Sequence, residues 1–320
     1  MPEWLIERGI GETRAALVDG GQIIEARIEL DGTVPAGSIL AARLTSVGSN
    51  GHNALARDET GREYLLPRGA AGVTDGAALN IEVTREAIPG REPWKRALAK
   101  TSDQLVRAAP PLDERLGGRV LPPHNDELGA AAWDELIDEA RSGVVTFTGG
   151  ELRISVTPAM TLIDVDGFFP PDELAMEGAA AGARAIRRLD IGGSIGIDLP
   201  TAGSKSVRQA AAEAVDAHLP QPFERTAVNG FGFVQIVRPR HRASFVELAQ
   251  DRAAFEARAL LRRAAFEPPG SKRLVGHPAV ITVIADKPGW IEQLARQVGG
   301  AVELRADAAL PISGGYAEKA

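Results

Sequence analysis

Alternation of apolar and polar residues predicts β-structure in the first third of the chain. Residues 1–33 contain three such segments, WLIERG, TRAALVDGG and QIIEARIEL, and the DGG forms a tight turn, so they predict a β-meander. Over residues 36–101, short apolar segments recur about every ten to fifteen residues between Gly, Asn and Asp turns. This spacing predicts a small antiparallel barrel.

The pattern then changes to alternating strands and helices. Two helical patterns occupy residues 104–142, separated by the Pro-rich RVLPPHNDE. Three strands follow (VVTFTGG, ELRISV, AMTLIDVD), then a helix over about 172–188, the strand GSIGIDLP, a helix over about 204–218 and the strand FGFVQIVRPR. Near-continuous apolar strands between helices indicate a mixed sheet with helical crossovers.

The last part of the chain predicts a small separate α+β unit. A continuous helical pattern covers residues 244–266. It leads past EPPGSK into PAVITVIADKPGWIEQLARQVGGAVELRAD, which predicts a strand, a helix and a strand.

Composition narrows the class of protein. The 320 residues, 44% apolar and 25% charged, are enough for two or three domains. No apolar run reaches the length of about 18 residues that spans a bilayer, and the segment MPEWLIERGIGETR has acids where a signal peptide needs basic and apolar residues. We therefore expect a cytoplasmic protein without a membrane partner. Because there is no cysteine, disulfides, thiolate metal sites and thiol nucleophiles are excluded.

Aspartates stand near the ends of two predicted core strands. Asp164 follows apolar residues in TLIDVDG, with Asp166 two positions later, and Asp198 has the matching position in GSIGID. A strand, helix, strand unit normally makes a parallel pair, and ligands bind outside the carboxyl ends of such strands. Adjacent carboxylates repel each other unless a cation lies between them, which favours Mg²⁺ or Mn²⁺. Alternatively, each Asp caps a turn, since Asp before Gly or Pro is common in loops.

Basic residues form local clusters although the net charge is −7, which argues against a uniformly basic nucleic-acid-binding protein. The clusters are Lys95, Arg96 and Lys100; Arg184, Arg187 and Arg188; and Arg238, Arg240, His241 and Arg242. Each cluster is either a solvated surface or a contact for a polyanion. Trp94, beside the first cluster, either stacks on a base or caps the barrel.

Three segments resemble, in order and spacing, the catalytic core of the bacterial ribonuclease E/G family: GGELRISVTPAMTLIDVDG, ARAIRRLDIGGSIGIDLP and NGFGFVQIVRPR. The segments GIGETRAALVDGGQIIEARIE and AGSILAARLTSV also resemble the N-terminus of that family. The resemblance is specific in the core and looser over residues 36–101 and 270–320. It implies an α/β fold, α+β overall, in which a ribonuclease-H-like or DNase I-like mixed sheet carries an inserted OB-fold barrel.

The resemblance also implies how the chain is divided. Residues 1–35 would be the first strands of the ribonuclease-H-like part, 36–101 the RNA-binding OB-fold barrel, 102–248 the catalytic core with its metal site, and 249–320 a linking helix and a small C-terminal α+β domain. Between Gln104 and Val145 the chain is too short for the family's sensor of a 5′-monophosphate. The cysteine motif that links subunits through zinc is absent, so no zinc and no zinc-linked homo-oligomer are expected.

Site residues follow from the same resemblance. Asp164 and Asp198 match the aspartates that bind catalytic Mg²⁺, and Asp166 lies where the family usually has asparagine. Leu55 and Leu65 lie where the family's barrel has RNA-stacking phenylalanines, so we expect RNA binding to be weaker or differently organised. Lys95 and, less specifically, Arg85 match basic positions near the RNA path. The other expected RNA contacts are Trp94, Tyr64, Arg184, Arg187, Arg188, Arg238 and Arg240.

The leading hypothesis is therefore an Mg²⁺- or Mn²⁺-dependent endoribonuclease that cleaves single-stranded RNA in rRNA or mRNA processing or decay. Two alternatives stay open at this point. One is an RNA-binding protein that keeps the fold without catalysis, and the other is a metal-dependent nuclease that acts on DNA.

Overall fold

A computed structural model describes residues 1–89, 95–201 and 203–320. They form a mixed α+β structure with a four-stranded sheet, a closed five-stranded barrel, a six-stranded mixed sheet and a three-stranded sheet. In these three ranges, no helix is long and apolar enough to cross a membrane. Trp94, one of the expected RNA contacts, lies outside the described residues.

An antiparallel meander forms the first sheet, as predicted. Its strands are β1 (Glu3–Arg8), β2 (Glu12–Asp19) and β3 (Gln22–Leu30). At the turn between β2 and β3, Gly20 and Gly21 have φ angles of 58° and 81°. Glycine adopts this left-handed conformation without strain, which explains the DGG signal in the sequence.

The predicted small barrel is confirmed. Its strands are β4 (Ile39–Ser46), β5 (Ala54–Asp58), β6 (Glu63–Leu66), β7 (Ala78–Arg85) and β8 (Ala97–Ser102), closed in the order β4-β5-β6-β8-β7. The pair β6 and β8 is parallel and the other pairs are antiparallel. Leu44, Leu66 and Ile81 are fully buried inside, because alternate residues of each strand point inward.

The segment after the barrel contains less helix than predicted. Its elements are α1 (Leu112–Leu116), β9 (Arg119–Val120), α2 (Glu127–Ala130) and α3 (Trp133–Ser142). The second predicted helix is α3, but the first helical pattern yields only the short α1. Gly117 ends α1 in a left-handed conformation, and the chain then extends as β9, which pairs in parallel with β1.

The six-stranded sheet has the predicted mixture of strands and crossover helices. Its elements are β10 (Val144–Phe147), β11 (Gly150–Val156), β12 (Thr161–Gly167), α4 (Pro171–Arg188), β13 (Gly193–Asp198), α5 (Lys205–His218), β14 (Glu224–Arg225) and β15 (Phe233–Arg238). The spatial order is β10-β11-β12-β13-β15-β14. Only β12 and β13 are parallel among these pairs.

Helix α4 packs unusually close to the six-stranded sheet. A β-carbon at Gly178 would lie 2.4 Å from Cγ1 of Val165 in β12, and one at Gly182 would lie 3.1 Å from Cδ1 of Ile197 in β13. The helix also contacts β3 of the first sheet, and its buried residues belong to one hydrophobic core with both sheets. Small residues in α4 therefore allow a single core to form on both sides of the helix.

A buried ionic cluster joins the first sheet to the C-terminal part of the chain. The Arg14 guanidinium, 1% exposed, donates to Glu7 and to Glu12, with 2.6 Å between its Nε and the Glu12 Oε1. Arg262 reaches the same Glu7 carboxylate, with Nη2 3.0 Å from Oε2. Because buried charges are tolerated only when they are paired, these contacts fix β1 and β2 against the helix that carries Arg262.

The C-terminal part corrects two predictions. Its elements are α6 (Phe245–Leu248), α7 (Arg252–Phe266), β16 (Lys272–Gly276), α8 (Pro278–Ala285), α9 (Pro288–Val298), β17 (Val302–Ala306) and β18 (Tyr316–Lys319). The single helix predicted over residues 244–266 is wrong, because Asp251 accepts a hydrogen bond from the Ala254 N–H and starts a second helix. The strand predicted at PAVITVIA is wrong too. His277 caps that segment and Pro278 begins it, so it forms α8.

The barrel meets the core at a buried carboxyl group. The Glu86 N–H donates to the His241 carbonyl at 2.8 Å, and the Glu86 side chain is 5% exposed. Burial raises its pKa to about 7, although the nearby Arg242 acts in the opposite direction. The junction therefore contains a group that titrates near neutral pH.

The close approach of α4 predicts different effects of one substitution at two positions. Gly178→Ala should lower the free energy of unfolding by about 1–3 kcal/mol through overpacking, despite a gain in helix propensity of about 1 kcal/mol. Gly182→Ala is the matched control, since its methyl group would meet only the flexible end of Ile197, and it should stay within about 1 kcal/mol of the wild type. Urea unfolding measures both. Equal effects would contradict a packing limit at Gly178.

Glu86 predicts that stability decreases as the pH rises through neutrality. The folded state keeps the Glu86 proton up to a pKa of about 7, whereas the unfolded chain releases it near 4.5. Between these two pKa values the folded state binds more protons than the unfolded chain. The free energy of unfolding therefore decreases as the pH rises across this range. Glu86→Gln should be more stable than the wild type by about 1–3 kcal/mol at pH 8 and about equally stable at pH 4.5. Urea unfolding at both pH values checks this, and the same difference at both would contradict it.

Candidate functional site

The two candidate aspartates are direct neighbours in the sheet. Strands β12 and β13 run parallel, as predicted, and Asp164 and Asp198 are register partners. Helix α4 connects the two strands on one side of the sheet. Since neighbouring strands are about 4.8 Å apart, the backbone brings the two carboxylates to the same place near the carboxyl ends of their strands.

All three aspartates lie on the face of the sheet opposite α4, which we call the open face. Along β12, Ile163 and Val165 are buried under the helix, whereas Asp164 and Asp166 are exposed. Asp198 is exposed at the end of β13, after the buried Ile197. The two-residue period of a strand therefore places Asp166 on the same side as the pair.

The pKa of Asp164 is raised above its usual value. Partial burial raises its pKa, and the charges of Asp166 and Asp198 raise it further. Arg153, the register partner of Asp164 in β11, opposes this effect. Its Nε lies 3.7 Å from Oδ2 of Asp166. Both of these side chains are more than half exposed, so water screens the pair and the cluster keeps an excess of negative charge.

Carboxylate oxygens are the ligands that Mg²⁺ and Mn²⁺ prefer. Within the described ranges, no three His, Cys, Asp or Glu side chains form a group that could hold a metal ion. Mg²⁺ usually needs only one or two carboxylates, because waters and substrate phosphates supply its other ligands. The chemistry of the in-register pair Asp164 and Asp198 fits such an ion, with Asp166 adding charge on the same face.

Two exposed phenylalanines lie beside the aspartates and were missed in the sequence. Phe168 directly follows β12 and is 82% exposed, and Phe231 precedes β15 and is 83% exposed. Asn229 fixes the second loop, since its Oδ1 accepts hydrogen bonds from the N–H groups of Phe231 and Phe233 at 2.9 and 3.1 Å. Phe233 is the register partner of Asp198. The sequence feature that marks both residues is that each phenylalanine directly follows a glycine, in DGFF and in NGFGF.

Lys95 lies at the other end of the two strands. It lines a small cavity with Thr161 and Ser194, three or four residues before the aspartates in β12 and β13. Three residues of strand span about 10 Å. Arg85 is half-buried and donates to the Arg96 carbonyl at 2.6 Å. Lys95 therefore lies beside the strands that carry the aspartates, but at their opposite end, whereas Arg85 contacts the backbone next to β8 of the barrel.

The arginines of α4 also lie away from the aspartates. The helix runs from the carboxyl end of β12 back to the start of β13, so its last turns are at the opposite end of the sheet. Arg187 pairs with Glu25 at 3.2 Å and Arg188 pairs with Glu139 at 2.9 Å, whereas Arg184 is exposed. Arg187 and Arg188 therefore join elements to each other at a distance from the aspartates, and their contact with RNA stays a prediction.

Arg238 and Arg240 are at that same distant end. Arg238 is the register partner of Gly193, the first residue of β13, and its Nη1 lies 4.0 Å from the Asp190 carboxylate. Arg240 forms an ion pair with Glu247. Neither side chain is near the aspartates, and their contact with RNA stays a prediction.

Tyr64 does not offer a ring to RNA. It is 1% exposed in the barrel core, and its hydroxyl donates to Asp58 at 2.9 Å. Leu55 and Leu65 are register partners on β5 and β6 and are partly exposed, so they lie on the outer side of the barrel wall. The prediction of a stacking role for Tyr64 is therefore wrong, because its position in β6 points inward.

Neither a scan against protein-family models nor a search of the curated proteins finds a match for this chain.

Proposed function

We propose that this protein is a metal-dependent endoribonuclease of the ribonuclease E/G type that cleaves single-stranded RNA. One observation carries the proposal: Asp164 and Asp198 are register partners on the open face, near the carboxyl ends of two parallel strands. Binding sites of α/β sheets lie at such ends. The sequence resemblance places the same two residues at the family's metal-binding positions.

The aspartates would hold Mg²⁺ or Mn²⁺ against a phosphodiester. Such an ion, when bound, shields the negative charge of the phosphate and favours the ionised form of an attacking water. Asp164 and Asp198 would supply oxygen ligands. Burial raises the pKa of Asp164, and the charges of Asp166 and Asp198 raise it further, so a bound cation would relieve this repulsion. Asp166 adds a third negative charge where the family usually has a neutral amide, which increases the attraction for a divalent ion.

Single-stranded RNA would be held on the open face by stacking. Exposed aromatic rings bind unpaired bases without sequence preference, and Phe168 and Phe231 lie at the ends of the strands that carry the aspartates. Arg153 is 58% exposed on the same face and can meet a backbone phosphate. These residues would bring an RNA strand to the aspartates, and Lys95, at the other end of β12 and β13, would contact its flank.

We also propose that the closed barrel is an OB-fold module and that the six-stranded sheet is the ribonuclease-H-like core. The barrel's five strands and closure support the first assignment. Leu55 and Leu65 lie on its outer side, where they offer apolar contact instead of stacking rings. The barrel should therefore contribute less to RNA affinity than the phenylalanines beside the aspartates.

A non-catalytic RNA-binding protein is the second candidate. Leu55 and Leu65 at the family's RNA-stacking positions, and the short segment between Gln104 and Val145, favour it. It differs from the leading proposal in one measurable respect: RNA binding would fall with salt but would not require a divalent ion, and no product would form.

Cleavage of a labelled single-stranded RNA tests the proposed activity. The wild type should cut with Mg²⁺ or Mn²⁺ and not with a chelator. Asp164→Asn and Asp198→Asn should each lower the rate by more than about 100-fold. Changes to residues that only hydrogen-bond the ligands of a metal ion already lower metal affinity or activity by about 10–100-fold. Glu177→Gln is the control. It removes an exposed carboxylate from α4, on the other side of the sheet from Asp164 and Asp198, and should cut like the wild type.

The outcomes separate the candidates. Cutting that survives both Asn variants, in protein whose near-UV circular dichroism is unchanged, would refute the assigned roles. RNA binding without cutting would support the non-catalytic candidate. A matched DNA strand in parallel reactions identifies a nuclease that prefers DNA.

Stacking predicts how the phenylalanines affect RNA affinity. Phe168→Ala and Phe231→Ala should each raise the Kd for a short single strand about 5- to 100-fold, since one stacked base contributes about 1–3 kcal/mol. Tyr316→Ala, at a partly exposed ring of the C-terminal sheet, is the control and should leave the Kd unchanged. Fluorescence anisotropy with Ca²⁺ in place of Mg²⁺, with the RNA checked to be uncut, measures binding alone. Equal Kd values for all three variants would show that RNA does not stack at the open face.

A further inference from the structure

A second polar cavity lies at the end of the six-stranded sheet that is distant from the aspartates. Its volume is about 340 Å³, and its charged lining includes the side chains Glu25, Arg27, Asp190, Arg238, Arg240 and Arg242. Arg238 is the register partner of Gly193, at the start of β13, whereas Asp198 ends that strand. Five residues of strand span about 17 Å, so the cavity is separate from the proposed cleavage site.

Cations outnumber acids around this cavity. Glu25 accepts from Arg27 at 2.7 Å and also pairs with Arg187 at 3.2 Å. Asp190 pairs with Arg242 at 3.2 Å and lies 4.0 Å from Arg238.

Arg240 pairs with Glu247, which is the third carboxylate among the ion pairs around the cavity. Five guanidinium groups therefore share three carboxylates, and the formal excess is two positive charges. Glu86 also lies near Arg242, and its pKa of about 7 leaves it partly protonated at neutral pH.

The positive excess affects a neighbouring group. Arg115 pairs with Glu29, yet its pKa is lowered to about 10, first by burial and then by repulsion from Arg242 and Arg27. Burial alone lowers the pKa of an arginine, and the further lowering by Arg242 and Arg27 shows that their charges act on Arg115.

The arginines are held in place, but their hydrogen-bonding capacity is not used up. Arg242 is only 10% exposed and Arg238 15%, and the Arg238 Nη1 donates to the Ile191 carbonyl at 3.3 Å. Each guanidinium has five N–H donors in a rigid fork that matches oxyanions, so the cavity wall is a fixed set of donors.

We propose that this cavity binds the dianionic phosphate group of a small phosphate monoester. A charge of −2 matches the excess of the arginine set, and guanidinium forks bind phosphate oxygens in pairs. The cavity is larger than a phosphate group alone and lies within the range of small-molecule sites. Pro220, Pro222 and Pro239 form part of its wall and offer apolar surface to the rest of the ligand.

Isothermal titration calorimetry of the full-length protein tests this site without any RNA substrate. The probes are AMP, adenosine and inorganic phosphate. AMP should bind saturably with an affinity that falls as salt is added, and adenosine should not bind. Inorganic phosphate that binds as well as AMP identifies the free ion as the ligand, whereas tighter binding of AMP shows that the organic part contributes. Both results support a phosphate site.

Two variants and a control locate the binding. Arg238→Gln and Arg242→Gln should each weaken AMP binding at least 10-fold. Arg238→Gln keeps the ion pair between Arg242 and Asp190, so it remains informative if Arg242→Gln fails to fold. Arg296→Gln removes an exposed cation from α9 and should bind AMP like the wild type. The proposal is overturned if millimolar AMP and phosphate give no saturable binding, or if folded Arg238→Gln binds them like the wild type.

Discussion

The close packing of α4 against β12 and β13 is the constraint on which the rest of the structure depends. Gly178 and Gly182 leave no side chain between the helix and the sheet, so the helix rests directly on Val165 and Ile197. Val165 and Ile197 alternate with Asp164, Asp166 and Asp198 along the same strands. Because the helix buries the apolar side chains, the aspartates are exposed on the other face. The helix that closes the core therefore also determines which face carries the acids.

The arrangement of charge explains how a chain with a net charge of −7 could still bind an anionic polymer. Most arginines near the core pair with carboxylates and join elements together, as Arg14 does with Glu7 and Glu12. The open face instead carries three acids, and the exposed Phe168 and Phe231 lie in the loops next to the strands β12 and β15. On such a face, bases would be bound by stacking, and the phosphate would approach the acids only together with a cation.

Sequence patterns predicted the elements that carry the site better than those at the end of the chain. The strands and crossover helices around Asp164 and Asp198 were predicted because their apolar runs are long and end at clear turn residues. Two predictions failed where a local cap outweighed the apolar pattern. Asp251 divides a continuous helical pattern in two, and His277 with Pro278 turns the apolar PAVITVIA into a helix.

The sequence by itself determined the chemistry available to this protein: no thiol, several clustered arginines, and two aspartates at matching positions in neighbouring strands. It also determined the pairing of these strands, because a strand, helix, strand unit has few alternatives. Only the tertiary structure decided which charged side chains form ion pairs and which aromatic side chains are exposed. It paired Arg187, Arg188 and Arg240 with acids distant in the sequence or on another element, buried Tyr64, and exposed Phe168 and Phe231. The physical reason is that burial and ion pairing depend on contacts between distant segments, which no local pattern encodes.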